Sequence, residues 1–298
     1  MNRIPPELWA KIFSFACLDD GTTGRTLSLV SKYVHHVSKP SKLQSTVLRG
    51  LDQTVAFLLL LGATPEHHRR VCHLFVYECH EDDVQPRSMW MSMSGPLKHI
   101  LHIVRDTLQT LAIRFDHSHM YSLYPMDLPA LEELTVFSTI IDNSYKAPIK
   151  PLTRLKRIHY GGRFFAQYDL DVFSALCEVA PNLTHFRFSE VKANSQIALH
   201  LEAVLGWDEP SPNGQDEPKT TFRLPSTITT VVVQPAPVEN HGIRAIADMM
   251  AMLQRLALRG RQRGIIILPA DEARTYASGW RKMENEWLER IHGGRGCW

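Results

Sequence analysis

The segment LTHFRF, residues 183–188, sets apolar residues at 183, 186 and 188, so its second half carries the two-residue period of a strand. The same apolar-x-x-apolar-x-apolar pattern occurs as LQSTVL (43–48), VCHLFV (71–76), LQTLAI (108–113), LEELTV (131–136), LKRIHY (155–160) and ITTVVV (228–233). The pattern alone is common: with 44% apolar residues, chance supplies it roughly 25 times in such a chain. Spacing and context carry the signal. Successive starts from Leu43 lie 28, 37, 23, 24, 28 and 45 residues apart, and Pro129, Pro151, Pro181 and Pro225 stand just upstream of four copies.

Helix-like apolar spacing fills many of the gaps, at residues 53–61, 96–107, 170–180 and 195–206. Strand, turn and helix alternating at such a period resemble leucine-rich repeats, which run at about 20–29 residues and tolerate insertions. The expected fold is therefore α/β: an irregular leucine-rich-repeat-like solenoid over residues 43–298, with parallel strands alternating with helices. The 45-residue gap holds WDEPSPNGQDEPKTT, which predicts an exposed inserted loop at about 207–220. Further on come a long helix in HGIRAIADMMAMLQRLALRG, a short buried strand in GIIILP and an amphipathic helix over 279–291. Trp280, Met283, Trp287 and Leu288 fall at helical spacing in that last helix, which is expected to cap the final hydrophobic face.

Bulk composition narrows the function classes. The chain has 298 residues, 21% of them charged, and a formal net charge of +2, so no global field argues for nucleic acid or a membrane surface. Arg3 is followed by IPPELW rather than by a continuous apolar run, which is unlike a signal peptide. The longest apolar stretch, VAFLLLLGA (55–63), is far short of the roughly 20 residues of a membrane span. Five scattered cysteines read as reduced thiols, so the expected location is cytoplasmic or nuclear.

The first forty residues follow another pattern. Pro5 and Pro6 suit a helix start, and Glu7 suits the positive end of its dipole. Leu8, Ile12 and Phe13, with Trp9 and Ala16, then make a broad apolar face. DDGTTG (19–24) breaks that helix, and Leu27, Val30, Tyr33, Val34 and Val37 predict a second one ending before Pro40. Helices this short bury little by themselves and must lean on the repeats, on a partner, or on both.

IPPELWAKIFSFA and LSLVSKYVHHVS resemble the two conserved helical stretches of an F-box-like domain of the fungal type, here residues 1–42. Ile4 and Ser31 depart from that family's usual Leu and Cys, and the spacer LDDGTTGRT is long. The resemblance implies a substrate-receptor subunit of a Skp–cullin–F-box ubiquitin ligase, with no catalytic residues and no cofactor of its own. It implies docking on the Skp adaptor, and through it cullin, by Pro5, Leu8, Trp9, Ile12, Phe13, Leu27, Val30 and Tyr33. Buried aliphatic and aromatic anchors of this kind carry most of the energy in helix-in-groove recognition. Ile12, Phe13 and Val34 have a second reading as local core against the first repeat.

Candidate chemistry elsewhere is sparse. The run EHHRRVCHLFVYECH (66–80) is rich in His and Cys, but strand alternation puts Cys72 and Cys79 on opposite faces, and the spacing matches no metal-ligand pair. DHSHM (116–120) reads as a turn, and no nucleophile elbow, phosphate loop or zinc-protease helix is present. The expectation is no metal and no enzyme. On the expected outer face of the strands, Arg157 should lie beside His185 and His159 beside Arg187, with Arg114 two strands away. Such a basic face suits an acidic or phosphorylated segment of an unknown protein substrate. The competing reading of the whole chain is a non-catalytic interaction scaffold whose F-box-like helices only cap the solenoid.

Overall fold

The computed structural model describes residues 4–78, 93–115, 127–137, 150–161, 179–191, 201, 226–236, 243–259, 264–270 and 276–298. The helix expected over 170–180 lies outside these residues except at its end; that over 195–206 lies outside except at Leu201, and the loop expected at 207–220 does so wholly. Three helices open the chain: α1 (Pro6–Ala16), α2 (Thr22–Val30) and α3 (Lys32–Ser38). The strands are β1 (Ser45–Arg49), β2 (His73–Tyr77), β3 (Thr110–Arg114), β4 (Glu133–Phe137), β5 (Arg157–Gly161), β6 (His185–Val191), β7 (Thr230–Pro235) and β8 (Gly264–Ile267). Helices α4 (Gly50–Ala63) and α5 (Ser94–Val104) follow β1 and β2, α6 (Ile243–Arg259) precedes β8, and α7 (Tyr276–Ile291) closes the chain. Each of the seven sequence copies becomes a strand two residues after its first apolar residue. Those first residues (Leu43, Val71, Leu108, Leu131, Leu155, Leu183 and Ile228) are all buried.

The chain forms two compact units: Met1–His117 with Met126–Leu134 and Ala277–Trp298, and Ser118–Pro125 with Thr135–Tyr276. In the first unit, β1, β2 and β3 pair in parallel and in chain order, with Val47, Phe75 and Ala112 in register. Leu48, Leu74, Val76, Leu111 and Ile113 are buried on one face of these strands, and α4 packs on β1 and β2 and against α5. In α5, Leu97, Ile100, Leu101 and Val104 recur at three- and four-residue steps and are all buried, as an amphipathic helix requires. In the second unit, β5, β6, β7 and β8 also pair in parallel and in chain order. Their inner face is built from Ile158, Phe186, Phe188, Val231 and Val233, while α6 buries Met249, Leu253 and Leu256. The fold is α/β with parallel strands, and among the described residues no helix is long and apolar enough to cross a membrane.

The single helix expected after DDGTTG is two helices. Ser31 has extended backbone (φ −166°, ψ 162°), and its Oγ accepts from the Val34 N–H (3.1 Å), so it caps α3 while ending α2. Asp19 and Asp20 do the same for α2, accepting from the N–H groups of Gly21, Thr22 and Thr23 at 2.8–3.1 Å. Gly21 sits at φ +93°, where a side chain would be strained. Gly24 lets α2 approach the turn before β1, since a Cβ there would sit 2.2 Å from the Lys42 carbonyl oxygen.

The last helix corrects the expectation of a cap on the final repeat. α7 lies across the first unit's strands instead. Trp280 stacks on Tyr77 (4.5 Å between ring centroids), Trp287 packs on Phe75 (5.6 Å), and Arg49 donates to Glu284 (2.8 Å). Arg290 Nε donates to both carboxylate oxygens of Glu133 (2.7 and 2.9 Å), and its Nη2 also donates to Oε1. The physical reason is the composition of that strand face: Phe75 and Tyr77 are apolar enough that they need a cover.

Candidate functional site

Helix α1 carries two apolar faces. At 100° per residue, Leu8, Ile12 and Phe15 fall within about 60° of one another, while Trp9, Phe13 and Cys17 lie roughly 130° further round. The second set turns inward. Phe13, Val34 and Val37 form a buried cluster with Trp9, Ala10 and Leu27 packed on it, and Trp9 stacks on Phe13 at 5.4 Å. Each such buried side chain contributes about 1.5–3 kcal/mol. Burial, with the Asp19 charge second, pushes the Cys17 thiol up to about 11, which leaves it protonated and inert at neutral pH.

The first set turns out. Leu8 is 53% exposed, Ile12 47% and Phe15 66%; on the neighbouring helices Leu29 is 85% exposed, with Val30 and Tyr33 also open. α1 packs on both α2 and α3, so this small bundle spends one apolar face on itself and leaves another uncovered. Of the residues expected to meet the adaptor, Pro5, Leu8, Ile12, Val30 and Tyr33 are exposed, while Trp9 and Leu27 are half-buried against the cluster. Phe13 is a correction: at 4% exposure it is a core residue, because its position on the helix wheel turns it inward onto Val34 and Val37. Phe15 and Leu29 were not singled out from sequence. The four- and three-residue steps Leu8–Ile12–Phe15 are the signal that finds Phe15.

The bundle is tied to β1 by hydrogen bonds. Gln44 Nε2 donates to the Ser14 carbonyl (2.9 Å), Ser45 Oγ to the Asp19 carbonyl, and the Val47 N–H to the Asp20 carbonyl (3.3 Å). Arg49, at the end of β1, faces both Asp20 (3.7 Å) and Glu284 (2.8 Å). Burial raises the Glu284 carboxyl against the pull of Arg49, and a hydrogen bond from Thr22, helped by Arg49, holds Asp20 low against partial burial.

The strand-face residues expected to read a substrate are in the anticipated register but not in solvent. Arg157 pairs with His185 and His159 with Arg187 across β5 and β6. His159 and Arg187 are buried, Arg157 and His185 half-buried. Protein groups have replaced water. His159 Nε2 contacts Ser189 Oγ (2.8 Å), Arg187 Nε donates to Ser189 Oγ (3.0 Å), and Arg187 Nη2 donates to Gln234 Oε1 (2.7 Å). The Phe137 ring stands edge-on to His159 at 5.1 Å, in space that a Cβ on Gly161 would fill. The bulge beside Ser189, with Glu190 at φ +58°, re-aims this end of β6. In the first unit Arg114 is buried too, and α7 passes over it: a Cβ on Gly279 would lie 3.1 Å from its guanidinium. The solvated basic face expected from sequence is thus a buried polar network in one unit and a helix-covered face in the other.

Cys72 is buried just before β2, whereas Cys79, His80 and the DHSHM turn lie outside the described residues. No group of three or more His, Cys, Asp or Glu side chains that could hold a metal occurs among the described residues. His73 Nδ1 contacts Thr110 Oγ1 (3.0 Å), and burial lowers its pKa to about 4 against the opposing pull of Glu133. No family model matches the chain, and neither a curated protein nor a solved structure matches it significantly.

Proposed function

We propose that the chain is a substrate-receptor subunit of a Skp–cullin–F-box type ubiquitin ligase, working in the cytoplasm or nucleus. In this reading α1–α3 form an F-box-like module that docks on the Skp adaptor. The strand-and-helix region, read as irregular leucine-rich-repeat-like, presents a protein substrate. The subunit supplies position rather than chemistry, so it needs no catalytic residue and no cofactor.

One observation carries the reading: the outward stripe of Leu8, Ile12 and Phe15, with Leu29, Val30 and Tyr33, is open in the isolated chain. Large apolar side chains concentrated on one small bundle mark a surface that another protein covers. With Phe13 in the core, the adaptor's anchors in this reading are Pro5, Leu8, Ile12, Phe15, Leu29, Val30 and Tyr33. The half-buried Trp9 holds the helix from which they project.

A second reading, an interaction scaffold whose helices merely cap the first strand, is favoured by the bonds from Gln44, Ser45 and Val47 to the bundle. The two are separated by co-expressing the full chain with a Skp adaptor and cullin. The ligase reading expects a co-purifying complex that transfers ubiquitin to a captured substrate; a chain that stays alone, folded and soluble supports the scaffold.

A further inference from the structure

Strand β8 is the outer strand of the second unit's parallel ladder, and among the described residues only β7 pairs with it, with Val231 opposite Ile265 and Val232 opposite Ile266. The Gly264 N–H donates to the Thr229 carbonyl (2.8 Å) and the Leu268 N–H to the Val233 carbonyl (2.9 Å). Strand alternation therefore turns the N–H and C=O groups of Ile265 and Ile267 away from β7. No described residue pairs with them. The strand is Gly-Ile-Ile-Ile, yet none of its residues is buried, and Ile266 is 45% exposed. Strand edges are normally protected by charge, proline, a bulge or a covering element, and Gly264–Ile267 has no charge, proline or bulge within it.

We propose that β8 is a docking edge that takes an extended segment of a partner protein as an added strand. Four residues at about 3.3 Å each give an edge of roughly 13 Å. That is too short to organise the roughly 800 Å² per partner that a stable pair of folded copies needs. A peptide strand needs only main-chain hydrogen bonds and contacts for alternate side chains.

The neighbourhood states the peptide's chemistry. Around a Cβ placed on Gly264 the nearest atom is the Thr229 carbonyl oxygen at 3.7 Å, which leaves room for an aromatic side chain from the added strand. The exposed Ile266 favours a β-branched apolar residue beside it. The proposal uses the strand edge alone and holds whether or not the chain joins a ligase.

The test uses the full chain and a short labelled peptide, Thr-Thr-Phe-Thr-Val-Thr-Val, read by fluorescence anisotropy. Proline is tolerated where an edge-strand N–H faces out. Ile265→Pro with Ile267→Pro therefore removes the docking donors while β7 pairing and the circular dichroism persist. The expected result is saturable binding by the wild type, weakened about tenfold or more in the proline variant. Ile266→Glu, which leaves the backbone donors in place, is expected to weaken binding similarly by setting a charge against the peptide's apolar side chains. Failure of the wild type to bind would overturn the proposal, as would unchanged binding by a folded proline variant or by Ile266→Glu. A β8-dependent dimer in sedimentation, without peptide binding, would overturn it in favour of a second copy as occupant.

Discussion

Replacing Trp287 tests the placement of α7 on the first unit's strands. Its side chain is 7% exposed and lies on Phe75, which is fully buried, with 5.6 Å between ring centroids. Truncation to alanine removes that packing and opens a cavity over β2, a change that costs about 3–5 kcal/mol. Trp287 Nε1 is also buried without a hydrogen-bond partner. Trp287→Phe therefore keeps a ring against Phe75 while deleting an unsatisfied donor, itself a burden of about 1–3 kcal/mol, so its net cost is under about 1.5 kcal/mol. Native-state hydrogen exchange of the β2 amides reads the effect locally, which matters in a chain of two compact units. Trp287→Ala should speed their exchange by about 150-fold or more and Trp287→Phe by no more than about 15-fold. Asn285→Ala, on the exposed side of α7, should change little. Equal effects of Phe and Ala, or an Ala effect below about fivefold, would refute the packing of α7 on β2.

Gly24→Ala should destabilise the chain by about 1–3 kcal/mol, although alanine is the better helix former by about 1 kcal/mol, because its Cβ meets the Lys42 carbonyl oxygen. A raised urea midpoint would contradict that. Because the folded-state pKa of His73 is depressed to about 4 from 6.5, the unfolded state binds its proton first. Stability from this group is therefore complete above pH 6.5 and is lost as pH falls toward 4, by up to about 3 kcal/mol. His73→Gln should flatten the pH dependence of stability in that window, and an unchanged slope would exclude His73 as its source. Arg290→Lys should cost nearly as much as Arg290→Ala in thermal unfolding, since one ammonium cannot reproduce the fork on Glu133. Full retention of stability by the lysine variant would show that simple charge is enough.

The strands were legible because each copy of the repeated pattern keeps its period and hides its first residue: Leu155, Leu183 and Ile228 are buried as that pattern requires. Register followed from the same pattern, so Arg157 met His185 and His159 met Arg187. Exposure of that face did not follow. A period of two separates the faces of a strand but does not say what covers either, and the covers come from far along the chain: Gln234 on Arg187 in the second unit, Glu284 on Arg49 and Arg290 on Glu133 in the first. The split between α2 and α3 was missed because Val30, Val34 and Val37 keep helical spacing across it, and only the cap made by Ser31 breaks the chain there. In α1 a strict wheel separates Phe13 from Phe15, whereas a resemblance carried along the sequence ran the two faces together.

The proposed docking of the open face of α1–α3 on a Skp adaptor is tested by a titration calorimetry series on the full chain with purified adaptor. Saturable binding by the wild type is expected, with at least a tenfold loss in Leu8→Asp with Phe15→Asp, whose side chains are exposed and whose replacement leaves the Phe13 core intact. No binding by a folded wild-type chain, or equal binding by the double variant, would contradict it.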